Sequence, residues 1–123
     1  MEFLNPSDNP QLGDAAGAAL AEALQANAKT KLCKLWLDDT GLGPLAGASF
    51  AALLRTNRSL EWLNLHTNSA LGDAAGVALA GALRENTETK LRTLKLNDSD
   101  MGSAAREAFE ELKRTWPQID VKL

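Results

Sequence analysis

The chain repeats itself with a period of 59 residues and without a gap. Residues 1–31 agree with 60–90 at 18 of 31 places, and residues 32–59 agree with 91–118 at 10 of 28. A fixed period of this kind is typical of repeat proteins, in which each unit buries its apolar face only against its neighbours. The period predicts a single domain over 1–123 with four units and a closing strand: 1–31, 32–59, 60–90, 91–118 and 119–123.

Each unit opens with a pattern that predicts a short strand. The last two leucines of a trio alternate at period 2, as a strand with one buried face requires. Three residues further on stands an Asn, Thr or Ser, whose side chain is suited to hydrogen bonding with turn backbone. The trios are Leu32-Leu35-Leu37, Leu60-Leu63-Leu65 and Leu91-Leu94-Leu96, and the polar residues are Asn9, Thr40, Asn68 and Ser99.

After the strand, the apolar spacing of each unit becomes helical. In the first unit, four apolar residues fall on one helix face, and the third unit repeats them: Ala16, Leu20, Ala23 and Leu24, then Ala75, Leu79, Ala82 and Leu83. Gly17 and Gly76 lie inside these helices, and we expect them to allow close packing of neighbouring units. Asn residues stand where the helices should stop, and we expect left-handed backbone there: Asn27, Asn57 and Asn86.

Residues 60–86 carry the repeat in its fullest form: Leu-Glu-Trp-Leu-Asn-Leu-His-Thr-Asn, then Ser-Ala-Leu-Gly-Asp-Ala-Ala-Gly-Val-Ala-Leu-Ala-Gly-Ala-Leu-Arg-Glu-Asn. This stretch resembles a leucine-rich repeat of the ribonuclease-inhibitor type, and the resemblance covers nearly the whole chain. It implies an α/β fold, a short right-handed solenoid with parallel strands on the concave face and helices on the convex face. Helix ends such as Leu-Arg-Glu-Asn-Thr (83–87) are similar to the leucine-rich domain of tropomodulins.

The two ends of the repeat array differ from its middle. Pro6 stands where other units have a strand leucine, and proline in a strand belongs at a sheet edge. The last helix is highly charged, as the capping unit of a repeat protein needs to be. No equivalent cap precedes the first unit. We therefore expect either that the chain continues upstream or that another molecule covers this end.

Composition narrows the range of functions. With 13 basic and 16 acidic residues, the formal charge is −3, so we expect neither nucleic acid nor a membrane as the partner. No apolar run reaches the roughly 18–20 residues of a membrane span. Cys33 is the one cysteine, which rules out an internal disulfide and a zinc cluster. We expect a cytoplasmic protein that carries no cofactor and no metal.

The side chains that leave the sheet away from the leucines vary from unit to unit, and we predict that they bind a partner. Three aromatic residues fall on this face, and Trp36 and Trp62 should lie about 5 Å apart on neighbouring strands. Exposed tryptophans are enriched in binding hot spots, which favours recognition. The alternative is that they stack on each other or on lysine stems and only shield the sheet. The predicted apolar contacts are Phe3, Trp36 and Trp62.

Polar residues surround these aromatic side chains. Lys34 and Lys95 stand early in their strands and Asp38 stands late, a polarity that would orient a partner. Asn64 and His66 are predicted to supply hydrogen bonds. The late-strand positions also hold further acidic residues, in a set that Thr67 interrupts: Asp8, Asp39 and Asp98. This interruption disfavours a calcium site.

We predict a non-enzymatic protein-interaction module. The chain has one histidine and no clustered nucleophile, which disfavours acid–base or covalent catalysis at His66 and Asp38. Two hypotheses stand beside it. One follows the tropomodulin resemblance and is an actin-filament-binding module. The other is a structural fragment that self-associates head to tail through its uncapped N-terminal end.

Overall fold

The computed structural model describes residues 2–123, along which strands and helices alternate. The strands are β1 (Glu2–Leu4), β2 (Leu32–Trp36), β3 (Trp62–Asn64), β4 (Thr93–Lys95) and β5 (Asp120–Lys122). The helices are α1 (Gly13–Ala26), α2 (Pro44–Thr56), α3 (Asp73–Glu85) and α4 (Ser103–Thr115). Each of the four predicted units contains one strand followed by one helix.

The five strands form one parallel sheet in chain order, β1-β2-β3-β4-β5. Leu35 pairs with Leu63, Leu63 with Leu94, and Leu94 with Val121. These aligned side chains are buried, while the strand residues on either side of them are less so. The sheet therefore has one covered face, and the α/β repeat arrangement predicted from the period is confirmed.

The helices form a second layer with the same order as the strands: α1 packs on α2, α2 on α3, and α3 on α4. Phe50 of α2 and Phe109 of α4 lie in one core cluster with the strand leucines. Complete burial of each such side chain contributes roughly 1.5–3 kcal/mol to folding. Phe50 and Phe109 are 59 residues apart in the sequence, so residues at equivalent positions of the repeat also share the core.

The helices approach closely where the sequence has glycine, as predicted. A Cβ on Gly76 would lie 2.7 Å from Cβ of Ala105 and would overlap the Met101 sulfur. A Cβ on Gly17 would likewise overlap Leu42 and lie 3.2 Å from Cβ of Ala46. Both glycines therefore set the distance between adjacent helices.

The helix ends correct one prediction. Asn27, Asn57 and Asn86 do end their helices, but their φ angles are −97°, −69° and −88°, so none is left-handed. Instead, each side-chain oxygen accepts from a backbone N–H of the turn that follows the helix. Asn57 Oδ1 accepts from the backbone N–H groups of Ser59 and Leu60 at 3.0 and 2.8 Å.

The ends of the sheet match the predicted asymmetry. β1 is an edge strand whose three residues are exposed, and Pro6 lies beyond its end. At the other edge, Ile119 and Val121 are buried beside α4. The charged side chains of that helix are exposed: Arg106, Glu107, Glu110, Glu111, Lys113 and Arg114. Within residues 2–123, no helix combines the length and the apolar character needed to cross a membrane.

Candidate functional site

The open sheet face, meaning the strand side chains that point away from the leucine core, holds most of the predicted binding residues. One row across it runs Phe3, Lys34, Trp62 and Thr93 in direct register. In the next row, Trp36 pairs with Asn64, and Asn64 with Lys95. Trp36 and Trp62 therefore lie on neighbouring strands one row apart, as predicted.

The aromatic side chains do not form the pair that their spacing suggested. Trp36 packs against Phe3 in an edge-to-face arrangement, with ring centroids 5.9 Å apart and an interplanar angle of 82°. Phe3 remains 58 % exposed although it lies in this contact. Aromatic pairs of this geometry contribute about 0.5–1.5 kcal/mol beyond their burial. The contact orders two large side chains at the β1 edge and still leaves apolar area accessible.

Trp62 lies between two lysines. The ammonium of Lys95 is 5.1 Å from its ring and that of Lys34 is 5.9 Å from it, and Lys34 also lies 5.5 Å from the Phe3 ring. Cation–π contacts at exposed sites contribute about 0.5–1 kcal/mol each. The indole N–H of Trp62 is buried and has no hydrogen-bond partner within residues 2–123. The lysine stacking that we considered as the shielding alternative is thus present at Trp62.

Asn64 differs from its prediction. It was expected to face solvent and bond a partner, but it is only 5 % exposed. Its Nδ2 donates to Asp38 Oδ1 at 3.3 Å, and its Oδ1 accepts from the backbone N–H of His66 at 3.1 Å. Its amide is used inside the chain because Asn64 lies in the middle strand, between Trp36 and Lys95 in the register. Asn64 therefore positions Asp38 and His66.

His66 and Asp38 lie together at the carboxyl ends of the strands. Nε2 of His66 is 3.7 Å from Asp38 Oδ2, close enough for an ion pair when the imidazole is protonated. Its Nδ1 is hydrogen-bonded to the Thr67 hydroxyl at 2.7 Å. The side chains keep 35 % and 17 % exposure, so His66 is the more accessible of the two. The Thr67 hydroxyl therefore holds Nδ1 of His66, while Nε2 has only the longer contact with Asp38.

The acidic late-strand column has a backbone role that the sequence interpretation missed. Every unit has a residue with positive φ at this place: 61° at Asp8, 51° at Asp39, 59° at Thr67 and 56° at Asp98. Asp adopts this left-handed conformation more readily than most residues because its short side chain bonds locally. The turn after each strand therefore restricts which residues can stand at these positions, and their role in recognition stays a prediction.

Cys33 lies in β2 and is buried with a free thiol. Burial raises the pKa of this thiol, and the Glu61 carboxylate, which accepts from Sγ at 3.2 Å, raises it further. A thiol with a raised pKa is a weak nucleophile at neutral pH. Across residues 2–123, no group of three or more His, Cys, Asp or Glu residues has an arrangement suited to a metal ion.

Two aspartates that received no role from the sequence connect the units. Oδ1 of Asp14 accepts from the N–H groups of Gly43 and Ala46 at 2.9 and 2.7 Å, and Oδ2 accepts from Leu45 at 3.1 Å. Burial opposes ionisation of this carboxylate, but the three donors outweigh it and the pKa of Asp14 is lowered. Asp73 binds Gly102 in the same way, at 2.9 Å.

The signal for these caps is present in the sequence. Gly-Asp-Ala-Ala-Gly occurs in both 31-residue units, 1–31 and 60–90, and in neither 28-residue unit, 32–59 or 91–118. Each aspartate lies at the start of its own helix, where it would ordinarily be assigned to that helix. Its actual partner is the next helix, a contact that only the stacking of units reveals.

Comparison with known proteins identifies two similar chains. No protein-family model matches this sequence. The chain is 34 % identical over 110 residues to mouse NACHT, LRR and PYD domains-containing protein 12. It is 38 % identical over 110 residues to the human protein of that name. Each match covers 89 % of this chain, which spans about 10 % of the length of these curated relatives.

This similarity supports the leucine-rich-repeat type. The names of both relatives include LRR, for leucine-rich repeat. The parallel strands and alternating helices described above agree with that type.

Proposed function

We propose that this chain is a non-enzymatic protein-interaction module that binds a partner protein through its open sheet face. In this proposal the chain is a solenoid of the ribonuclease-inhibitor type, with the open face concave and the helices convex. One observation carries the proposal. Aromatic side chains that contact one another or the lysines lie together on the open sheet face: Trp36 packs against Phe3, and Lys34 and Lys95 lie over the rings of Phe3 and Trp62.

The internal contacts of this cluster favour binding as well as shielding. Phe3 holds Trp36, and the two lysines hold Trp62, so these side chains have already lost much of their rotamer freedom. A partner would not need to order them again, and binding surfaces gain affinity from such preorganisation. Large aromatic side chains are also the residues that most often dominate binding energy. The shielding contacts therefore support the recognition role.

Charge across the open sheet face suggests the chemistry of the partner. Lys34 and Lys95 surround Trp62, while Asp38 and His66 lie at the carboxyl ends of the strands. A partner segment with an apolar side chain beside a carboxylate would fit the Trp62 region and would be oriented by this polarity. His66, with Thr67 on one ring nitrogen and Asp38 near the other, is proposed as a contact residue and not as a catalytic base.

The compartment in this proposal is the cytoplasm. A single cysteine that is buried as a free thiol suits a reducing environment. The leucine-rich-repeat similarity is compatible with a binding role, since repeat proteins offer extended surfaces to partners.

The test compares capture of proteins by the wild type with capture by a double variant, Trp36→Ala with Trp62→Ala. Purified chains are immobilised and exposed to a lysate of cells that express the protein, and bound proteins are quantified by mass spectrometry. We expect the double variant to lose at least about 2 kcal/mol of binding free energy, roughly thirtyfold in affinity. Leu45→Ala is the matched control, because Leu45 is 62 % exposed on α2 and away from the sheet.

The proposal fails if the double variant retains the same partners with the same yield while its circular dichroism stays that of the wild type. Loss of the same partners with Leu45→Ala would instead place the binding surface on the helices. Pelleting with purified actin filaments tests the tropomodulin-type alternative. Filament binding that survives both variants would favour that alternative over the open sheet face.

A further inference from the structure

The outer side of α1 repeats a surface that is buried elsewhere in the same chain. In α3, Ala75, Leu79, Ala82 and Leu83 are at most 6 % exposed. Their equivalents 59 residues earlier have the same identities, yet two of them are exposed and two are only half-buried: Ala16, Ala23, Leu20 and Leu24. We call Ala16, Leu20 and Ala23, with Asn9 and Asn27, the N-terminal face; Leu24 is left out because it lies beside Leu53 and Thr56 of the following unit. The unit 32–59 buries the corresponding surface of the third unit, as the contact of Gly47 with Ala75 shows.

Asn27, a polar residue of this face, lacks the cross-unit hydrogen bonds that its repeat equivalent Asn86 makes. Asn86 bonds its own unit through Oδ1, which accepts from Glu88 N–H at 3.0 Å. Its Nδ2 crosses to the preceding unit and donates to the carbonyls of Leu54 and Asn57, both at 2.8 Å. Asn27 repeats only the first of these: within residues 2–123, its Oδ1 accepts from Lys29 N–H at 3.2 Å. The donor that would cross to a preceding unit faces solvent.

Asn9 and its repeat equivalent Asn68 differ in the same way: both bond their own unit, but only Asn68 also bonds the preceding unit. Asn68 donates within its own unit to the carbonyls of Leu65 and His66, at 2.8 and 3.3 Å. It also donates to Leu37 of the preceding unit at 2.9 Å, and its Oδ1 accepts from two N–H groups there. Asn9 makes the two own-unit bonds, to Pro6 and Ser7 at 2.7 and 3.1 Å. Within residues 2–123, Asn9 makes no bond that corresponds to the cross-unit bonds of Asn68.

We propose that the N-terminal face is the docking surface for one further leucine-rich-repeat unit of the 28-residue type, placed as 32–59 is placed against the third unit. Its strand would add to the exposed edge of β1 in parallel. Its helix would cover the apolar side chains of α1. Its backbone would accept from Asn27 and would both donate to and accept from Asn9.

The helix that docks on the N-terminal face must have small, uncharged side chains where it meets α1. In α2, Gly47 approaches the third unit, and Ala51 and Leu54 follow it at helical spacing on the same side of the helix; all three are buried. The equivalent positions in α4 are Arg106, Glu110 and Lys113, all exposed. A helix with these long charged side chains cannot approach as Gly47 does, where a Cβ would lie 2.6 Å from Cβ of Ala75. The C-terminal end of a second copy is therefore not the occupant.

The experiment extends the chain by a second copy of residues 1–59 placed before residue 1. The 59-residue period keeps the register, so the original first unit then follows a 28-residue unit as the third unit does. Ala23→Lys is introduced at the original position in both the natural and the extended chain. Ala15→Lys is the matched control, because Ala15 and its equivalent Ala74 are both exposed.

We expect the extended chain to melt in one transition. In the natural chain, Ala23→Lys should change Tm by less than about 2 °C, since Ala23 is exposed there. In the extended chain it should lower Tm by about 5 °C or more, because it places an ammonium in a buried contact like that of Ala82. Ala15→Lys should be tolerated equally in both chains.

Three results would overturn the proposal. The first is an equal effect of Ala23→Lys in the two chains. The second is an extended chain that melts in two independent transitions or does not fold. The third is a dimer of the natural chain in light scattering that Ala23→Lys disperses, because a second copy would then occupy the face.

Discussion

The carboxylate of Asp14 caps a helix that begins 30 residues later, at Pro44, and its Oδ1 accepts from the Gly43 N–H at 2.9 Å. Pro44, the first residue of that helix, has no N–H, so Asp14 bonds the donors available around it at Gly43, Leu45 and Ala46. The same relationship recurs 59 residues further on between Asp73 and Gly102. Each cap joins two units, so it stabilises their stacking together with the helix.

The lowered pKa of Asp14 predicts a pH dependence for this cap. Because the pKa is lower in the folded chain than its ordinary 3.8, the carboxylate contributes stability above that value. The contribution is lost as the pH falls through the folded-state pKa. Asp14→Ala should therefore cost about 1 kcal/mol at pH 7, the usual magnitude for a lost cap.

Urea unfolding of wild type and Asp14→Ala from pH 7 down to pH 2 measures this dependence. The difference in unfolding free energy should shrink across the acid range. Glu22→Ala is the control, because Glu22 is an exposed acidic residue on the same helix. A difference that stays constant with pH would mean that the capping bonds do not depend on the charge.

Two glycines of α3 should respond oppositely to the same substitution. Gly76→Ala places a Cβ 2.7 Å from Cβ of Ala105, and we expect a loss of about 1–3 kcal/mol. Gly81→Ala meets no atom within 4 Å and should gain about 0.5–1 kcal/mol from its better helix propensity. Chemical denaturation of both variants measures the two changes, and a stabilising Gly76→Ala would contradict the packing.

Asn68 should be much more sensitive than its repeat equivalent. Asn68→Ala removes a buried amide and leaves the N–H groups of Thr40 and Leu42 unpaired, at an expected cost of about 2–4 kcal/mol. Asn9→Ala should cost less than about 1 kcal/mol, because the Asn9 amide is exposed. The measurement is urea unfolding of both variants, and equal losses would show that the cross-unit bonds of Asn68 contribute little.

Thr67, which follows β3, is the most strained of the four residues that have positive φ after a strand. Thr67 is β-branched and has φ 59°, whereas the other units have Asp at this place. Thr67→Asn should stabilise the chain by about 0.5–1 kcal/mol, because Asn adopts this conformation more readily. Asp39→Thr should have the opposite effect by a similar amount. Thermal unfolding of both variants checks the pair, and a destabilising Thr67→Asn would show that the hydroxyl bond to His66 matters more.

For the residues of the open sheet face, strand spacing predicts only part of what the structure shows. Alternation placed Phe3, Lys34, Trp36 and Trp62 on the open sheet face, because side-chain direction in a strand has a strict period of 2. The same alternation also assigned Asn64 to solvent, where it is not. The period of 2 predicts the direction in which a strand side chain points but not its solvent exposure, because exposure also depends on the size of the neighbouring side chains.

The leucine-rich-repeat resemblance implied the parallel sheet, and the sequence alone determined the order of strands and helices and the identity of the core leucines. These follow from local periodicity, and a repeat imposes the same local solution on every unit. Tertiary structure alone decided that Asp14 caps a later helix, that Trp36 pairs with Phe3, and that the Asn86 amide donates to carbonyls of the preceding unit. Each of these depends on atoms of an adjacent unit. A sequence pattern describes one unit at a time, whereas the geometry of stacking determines the contacts between units.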